Sequence, residues 1–284
     1  MSDNVRRIAA SFTGYGLLHA IVRYGVVPQL TPQTFARLPH DSRVEFISRI
    51  GSLVNGVVLG SLSLYSVQVR GKFAGDVFTR YPKTLDYLFP AFAGYALYDM
   101  IAMATKTRQN ASMWLHHLIG FVGASLMPRY RAAAFFPAVF LTPELTLIPG
   151  DLLWYMKRFH LQHSPWFNRL LWIRLLGYVL VRWATTIYAV GYALRNSPDI
   201  TDPQVKQQFP GVVERYTHFQ QCLRRYLYHP LADRLARFLA LYSKLPWVVS
   251  ILTTFNVTVL TVLNTYWTSV LLKRLLQRTS LKTA

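Results

Sequence analysis

The chain has 284 residues, of which 52% are hydrophobic, 14% aromatic and only 15% charged, with a mean hydropathy of +0.22, where an average soluble domain carries roughly 25% charged residues. That balance excludes a disordered chain and an ordinary soluble enzyme, and a single cysteine, Cys222, excludes an internal disulfide and a thiolate metal cluster. The 31 Lys and Arg against 12 Asp and Glu give a net charge of +19, but they fall in short groups between apolar runs, such as Arg6-Arg7, Lys106/Arg108, Lys157-Arg158 and Lys273-Arg274. This is the pattern of loops held at a bilayer surface. The expected partners are membrane lipids, anionic headgroups among them, and not nucleic acid.

A bilayer-spanning helix needs about 20 mostly apolar residues. Seven segments are candidates. The first, 8–27, is interrupted by His19 and Arg23. It follows the opening MSDNVRR, in which Asp3 argues for an uncleaved helix rather than a transit peptide. The second, third and fourth are 47–69, 87–104 and 112–127. At ~1.5 Å per residue the fourth reaches only ~24 Å. The turn Pro128-Arg129-Tyr130-Arg131 leads into the fifth, 132–156, read as one helix; the sixth and seventh are 170–194 and 247–272. The basic residues of the short loops favour a cytoplasmic or matrix-facing C-terminus.

Between the last two spans, 195–246 is polar enough to leave the membrane and is punctuated by Pro198, Pro203, Pro210, Pro230 and Pro246. From Pro230 a helix over 230–243 puts Leu231, Leu235, Phe238, Leu239 and Tyr242 on one face, as an interfacial amphipathic helix does. The same face could bind a protein partner.

Ionisable residues inside apolar spans are costly, and so are the first candidates for function. Helix rise places Asp99, the adjacent His116 and His117, and Asp151 in one layer near the loop 105–111. It places Glu144 and Arg182 deeper, on consecutive spans, where an unpaired charge is expensive; they are expected to meet as an ion pair, with His117 the alternative partner of Glu144. One histidine at least should face the interior beside Asp99 and Asp151. The bland alternative has the carboxylates neutralising Arg174 and Lys157 while the histidines touch headgroups. Thr261, Asn264 and Thr268 share a face of the last span, suited to interhelical hydrogen bonds. His160 and His163 read as a surface pair, and no metal is expected.

In order along the chain, Tyr98-Asp99, Trp114-Leu115-His116-His117 and Leu141-Thr142-Pro143-Glu144-Leu145-Thr146 resemble the TLC-domain superfamily, which includes ceramide synthases and translocating-chain-associating membrane proteins. The resemblance covers roughly 44–275, spans two to seven, and implies a six-helix bundle around an internal cavity; with the apolar segment before it, the expectation is an all-α polytopic membrane protein of about seven transmembrane helices. It divides the chain into 1–43 with one membrane helix, the bundle 44–275 with its insert at 195–246, and a basic tail at 276–284. The resemblance implies that the double histidine His116-His117 is the acyl-transfer site; joined to the depth reading, this gives His116, His117 and Asp99 as the catalytic set, Glu144 and Arg182 as the polar pair, and Asp151 and Asn264 in support. No tightly bound cofactor is implied; acyl-CoA would be the co-substrate of a lipid acyl transfer. Ceramide synthases carry further acids in the next span, whereas Ala132 to Leu141 contains none, so the resemblance is to the branch outside them. It favours the endoplasmic reticulum. The alternative is a non-catalytic subunit of a membrane complex, for example in the mitochondrial inner membrane, binding anionic lipid and partner subunits through 195–246. A transporter ranks last, for want of inverted repeats.

Overall fold

The computed structural model describes residues 2–108 and 111–283; the side chains of 274–284, the basic tail at 276–284 among them, lie outside the description. The described residues form helices and no strand. In chain order these are α1 (3–30), α2 (Pro32–Ala36), α3 (His40–Val69), α4 (Leu85–Ala104), α5 (Ala111–Tyr130), α6 (Phe135–Val139), a tight 3-10 turn (Thr142–Thr146), α7 (Leu147–Arg158), α8 (Pro165–Arg195), α9 (Pro203–Gln208), α10 (Val212–Leu223), α11 (His229–Ser243) and α12 (Trp247–Thr283). Helices α3 and α8, and the part of α12 up to Lys273, are long and apolar enough to cross a membrane. Helices α1, α4 and α5 have the length without that hydropathy. For α4 the reason is position: it runs through the middle of the fold, with Leu85, Phe89, Ala93 and Ala96 fully enclosed.

Packing between neighbours orders α3, α4, α5, α12, α8 and the 135–158 segment into a six-member bundle. Helix α1 docks on the outside, against α4. The approach is close because Gly94 faces it: a Cβ there would lie 2.5 Å from Ser11 Cβ and 2.7 Å from Ile8 O. Ser11 Oγ donates to Ala91 O at 2.8 Å and His19 Nδ1 lies 2.9 Å from Tyr98 Oη, which fixes the register of the outer helix. A wide π-type turn at Val22–Val26 precedes Pro28, taking up the backbone bond that proline cannot donate.

Two expectations are corrected. The fourth helix runs on through Pro128 to Tyr130, so at ~1.5 Å per residue it reaches ~30 Å and is not short. The chain turns only at Arg131 and Ala133, both in the left-handed region (φ 50° and 51°). The fifth span, expected as one helix over 132–156, is broken into α6, the 3-10 turn and α7. Pro143 cannot supply an amide to the ladder, and side chains bond carbonyls around the break: Ser63 Oγ donates to Ala138 O (2.5 Å), which also accepts from Leu141 N, and Thr146 Oγ1 donates to Pro143 O (2.8 Å). Non-helical backbone at such depth is tolerated because protein surrounds it. Helix α3 makes room with Gly56 and Gly60; a Cβ on Gly60 would sit 2.8 Å from Leu145 Cγ and 2.9 Å from Leu145 N. The small-residue spacing thus seats the turn that carries Glu144.

The insert closes one end. Helices α10 and α11 form an antiparallel hairpin, and α11 lies on α8. The face of α11 that turns inward is Ala232, Ala236 and Ala240, all fully enclosed, joined by Leu241. The stripe read from sequence is offset from it. Leu231 is exposed, Leu235 and Leu239 are half-buried, and Phe238 reaches the core with its ring 5.6 Å from Phe78 and 6.3 Å from Phe136. Alanines win the inner position because small side chains let two helix backbones approach. At this end Phe73, Val77, Phe78, Phe135 and Leu241 are completely buried. The 70–84 segment joins in through Val77 N to Asn196 O (3.2 Å) and Ala133 N to Phe78 O (2.8 Å).

Candidate functional site

The opposite end of the bundle holds a cavity of about 520 Å³. Its lining runs from Glu45, Lys106 and Arg108, near the ends of α3 and α4, to Glu144 and Arg182 deep between the helices. Asp99, His116, His117 and Asp151 line it as well. Every ionisable residue singled out in the spans therefore faces one space, and Asn264 stands behind it.

Asp99 and Tyr98 are neighbours on α4 that diverge by about 100°: Tyr98 turns to His19 of α1 and Asp99 to the cavity. His117 Nε2 lies 2.9 Å from Asp99 Oδ2, with His117 buried and the carboxylate 14% exposed. The contact has ion-pair distance without hydrogen-bond alignment, and Nδ1 has no partner. Tyr95, one turn before Asp99, meets the His117 ring edge-on at 6.0 Å. His116 packs against His117 (5.2 Å) and Trp267 (5.8 Å), and its Nε2 is 3.9 Å from Glu144 Oε1. The other oxygen of Glu144 accepts from Asn55 Nδ2 at 2.7 Å. Each histidine thus has its own carboxylate.

The expected Glu144–Arg182 ion pair does not form. Arg182, 4% exposed, donates through Nε to Thr146 Oγ1 and through Nη1 to Asn264 Oδ1 (3.3 Å), and its guanidinium lies over Tyr178 (4.8 Å) and Trp267 (5.5 Å). Equal depth did not mean contact. The break at Pro143 redirects Glu144 toward α3 and α5, while α8 presents Arg182 to α12. The alternative partner named for Glu144 is also displaced by one residue, His116 rather than His117. Asp151 pairs with Arg49 of α3, not with Arg174 or Lys157. Of the polar face on α12, Asn264 reaches Arg182, Thr261 meets Thr186 across the helices (3.1 Å), and Thr268 turns back on Asn264 O within its own helix.

Arg49 and Asn55 escaped the sequence reading, although a signal existed. Arg49, Ser52, Asn55, Ser63 and Ser66 interrupt an apolar span, and Asn55, Ser63 and Ser66 are almost wholly buried. The contribution of Trp267 and Tyr95 had no such signal, since an aromatic in a span is ordinarily packing.

Beyond His116 the polar cavity gives way to an apolar cleft between α5 and α12, lined by Phe92, Gly120, Ala124, Leu141 and Leu260. The cleft is narrow, about 30 Å³, room for little more than a water. His116 and Glu144 border both spaces.

An all-α bundle with three helices fit to cross a bilayer, closed at one end and holding a polar cavity at the other, defines a polytopic membrane protein. The sequence profile of the TLC domain matches residues 45–273, well over half of the chain, and the protein belongs to the TLC-domain family. The match begins just inside α3 and leaves α1 outside. No curated protein and no solved structure matches the chain.

Proposed function

We propose that this membrane protein acts on lipids and transfers an acyl chain at the His116–His117 pair. The observation that carries the reading is the position of the pair: two histidines, each with a carboxylate, His117 on the polar cavity and His116 at the junction of that cavity with an apolar cleft. In that arrangement the acyl chain lies in the cleft and the reacting groups in the cavity. Asp99 favours a proton on Nε2 of His117 and leaves the Nδ1 lone pair to act as base. His117 removes the proton of a lipid hydroxyl or amine as its oxygen or nitrogen attacks the carbonyl of a thioester donor such as acyl-CoA. The C–S bond breaks and the same proton passes to the departing thiolate. Glu144, held by Asn55, orients His116. No metal and no tightly bound cofactor enters this scheme. A chain can enter the cleft only if α5 and α12 part, because the present volume does not admit one.

That narrowness favours a second reading, a bundle that keeps the fold without the chemistry and serves as a subunit of a membrane complex, its insert binding partner proteins. One experiment separates the two. The purified full chain in liposomes is given labelled acyl-CoA with candidate lipid acceptors, alongside the His116→Ala/His117→Ala variant. Acyl incorporation that the variant loses while remaining folded supports transfer; a wild-type chain that incorporates nothing, or a variant as active as wild type, supports the subunit. The reading assigns the protein to the endoplasmic reticulum membrane on the family's example, with the mitochondrial inner membrane as alternative. Imaging of the tagged full chain decides between them.

A further inference from the structure

Resting on the acyl-transfer reading, we propose that the cavity wall formed by Arg49 and Arg174 binds a phosphate ester carried by a lipid, which makes a phosphate-bearing lipid the molecule acted on. The argument is one of unmatched charge. Four carboxylates line the cavity, and each already faces a partner: Glu45 has Lys106 at 3.4 Å, Asp151 has Arg49, Asp99 has His117, and Glu144 has Asn55 and His116. Among the described residues, Arg174, Arg182 and, at the exposed mouth, Arg108 have no carboxylate within ion-pair reach. Arg182 is satisfied by Thr146, Asn264 and two rings. Arg174 is satisfied only in part: it lies over the Tyr178 ring at 5.6 Å and shares a side-chain hydrogen bond with the Tyr178 hydroxyl, but its Nε is buried without a hydrogen-bond partner among the described residues.

Position adds to charge. A Cβ on Gly150 would lie 3.5 Å from Arg174 Nε, and the next residue, Asp151, holds Arg49, whose own Nε is also buried and unpartnered. Two guanidinium groups therefore flank Gly150 and Asp151 on one wall, with a single aspartate between them and N–H donors to spare. Guanidinium forks match the oxygens of a phosphate in pairs, and the low-dielectric surroundings strengthen that match. The same wall repels a cationic amine, so a free sphingoid base is disfavoured there. The histidines, the Glu144 carboxylate and Asp99 occupy other helices, leaving the acceptor hydroxyl to face them while its phosphate faces the arginines. A phosphate ester could come on a lipid or on a soluble molecule such as coenzyme A. A space that opens between membrane helices favours the lipid.

Binding tests this without turnover. The full chain in neutral detergent is titrated with lysophosphatidic acid, with monoacylglycerol of the same chain length, and with coenzyme A as competitor. Lysophosphatidic acid is expected to bind at least tenfold more tightly than monoacylglycerol. Arg174→Gln should abolish that preference and Arg174→Lys should keep part of it. Equal affinity for the two lipids in the wild-type chain overturns the proposal whether or not the variants fold, and so does a preference that Arg174→Gln leaves unchanged. Displacement of the lipid by equimolar coenzyme A assigns the wall to a soluble phosphate ester and overturns the lipid source. A chain that binds the phospholipid selectively but transfers no acyl group rejects the transfer reading alone. A chain that transfers without phosphate selectivity rejects this one alone.

Discussion

The two ends of the bundle are built on opposite terms. At the insert end, aromatic rings from four separate stretches of chain interlock: Phe73 on Phe135 (5.5 Å), Phe135 stacked on Tyr192 (5.0 Å), Phe78 on Phe238 (5.6 Å). At the other end ionisable groups surround about 520 Å³ of space. The first end gains free energy by burial and leaves only a small void of about 10 Å³ beside Phe136. The second gives up packing and desolvates charge, most of which is offset by a partner side chain, with Arg174 offset only in part. Stability is thus concentrated away from the cavity, which frees the cavity to hold an energetically awkward set of side chains.

The sharpest break of that contrast lies in the closed end. Phe135→Ala removes a fully buried ring and should destabilise the protein by ~3–5 kcal/mol, read as a lower midpoint of thermal unfolding in detergent. If a cavity variant such as His117→Ala costs as much, the division of labour is wrong. Next comes the seat of the broken helix. Gly60→Leu drives side-chain atoms into Leu145 and should cost ~1–3 kcal/mol or more by overpacking, with displacement of Glu144. An unfolding midpoint equal to wild type would show that the α3 crossing tolerates more room than its distances indicate.

The cavity has its own test. Asp99→Asn keeps shape but removes the charge beside His117, and should lower acyl transfer by about 100-fold with little change in unfolding. A loss of stability to match would make the pair structural. The smallest effect is at the hairpin of the insert. The hydrogen bond from Gln220 and the Arg224 guanidinium at 3.0 Å hold Asp233 below the ordinary carboxyl value of 3.8. Its contribution is therefore complete above that unfolded value and is lost as pH falls through the lower, folded one. Being largely solvated, it should amount to less than ~1 kcal/mol. Limited proteolysis of the hairpin at neutral pH and near pH 3, compared with Asp233→Asn, measures it; a variant with the same acid response as wild type would remove Asp233 from the account.

Sequence by itself determined the class and the cast. Hydrophobic runs of membrane length fix a helical membrane protein, because a bilayer offers no other partner for backbone amides, and the cost of charge in such runs picked out Asp99, His116, His117, Glu144, Asp151 and Arg182, all of which line one cavity. Tertiary structure decided who meets whom. Depth along a helix can be counted from sequence, but azimuth cannot be carried across a break: the turn at Pro143 moved Glu144 away from Arg182 and onto Asn55 and His116. The face of α11 that docks was likewise undecidable in advance. Close approach of backbones selected Ala232, Ala236 and Ala240 over the larger stripe beside them, and the benefit of a small side chain exists only once the opposing surface is there.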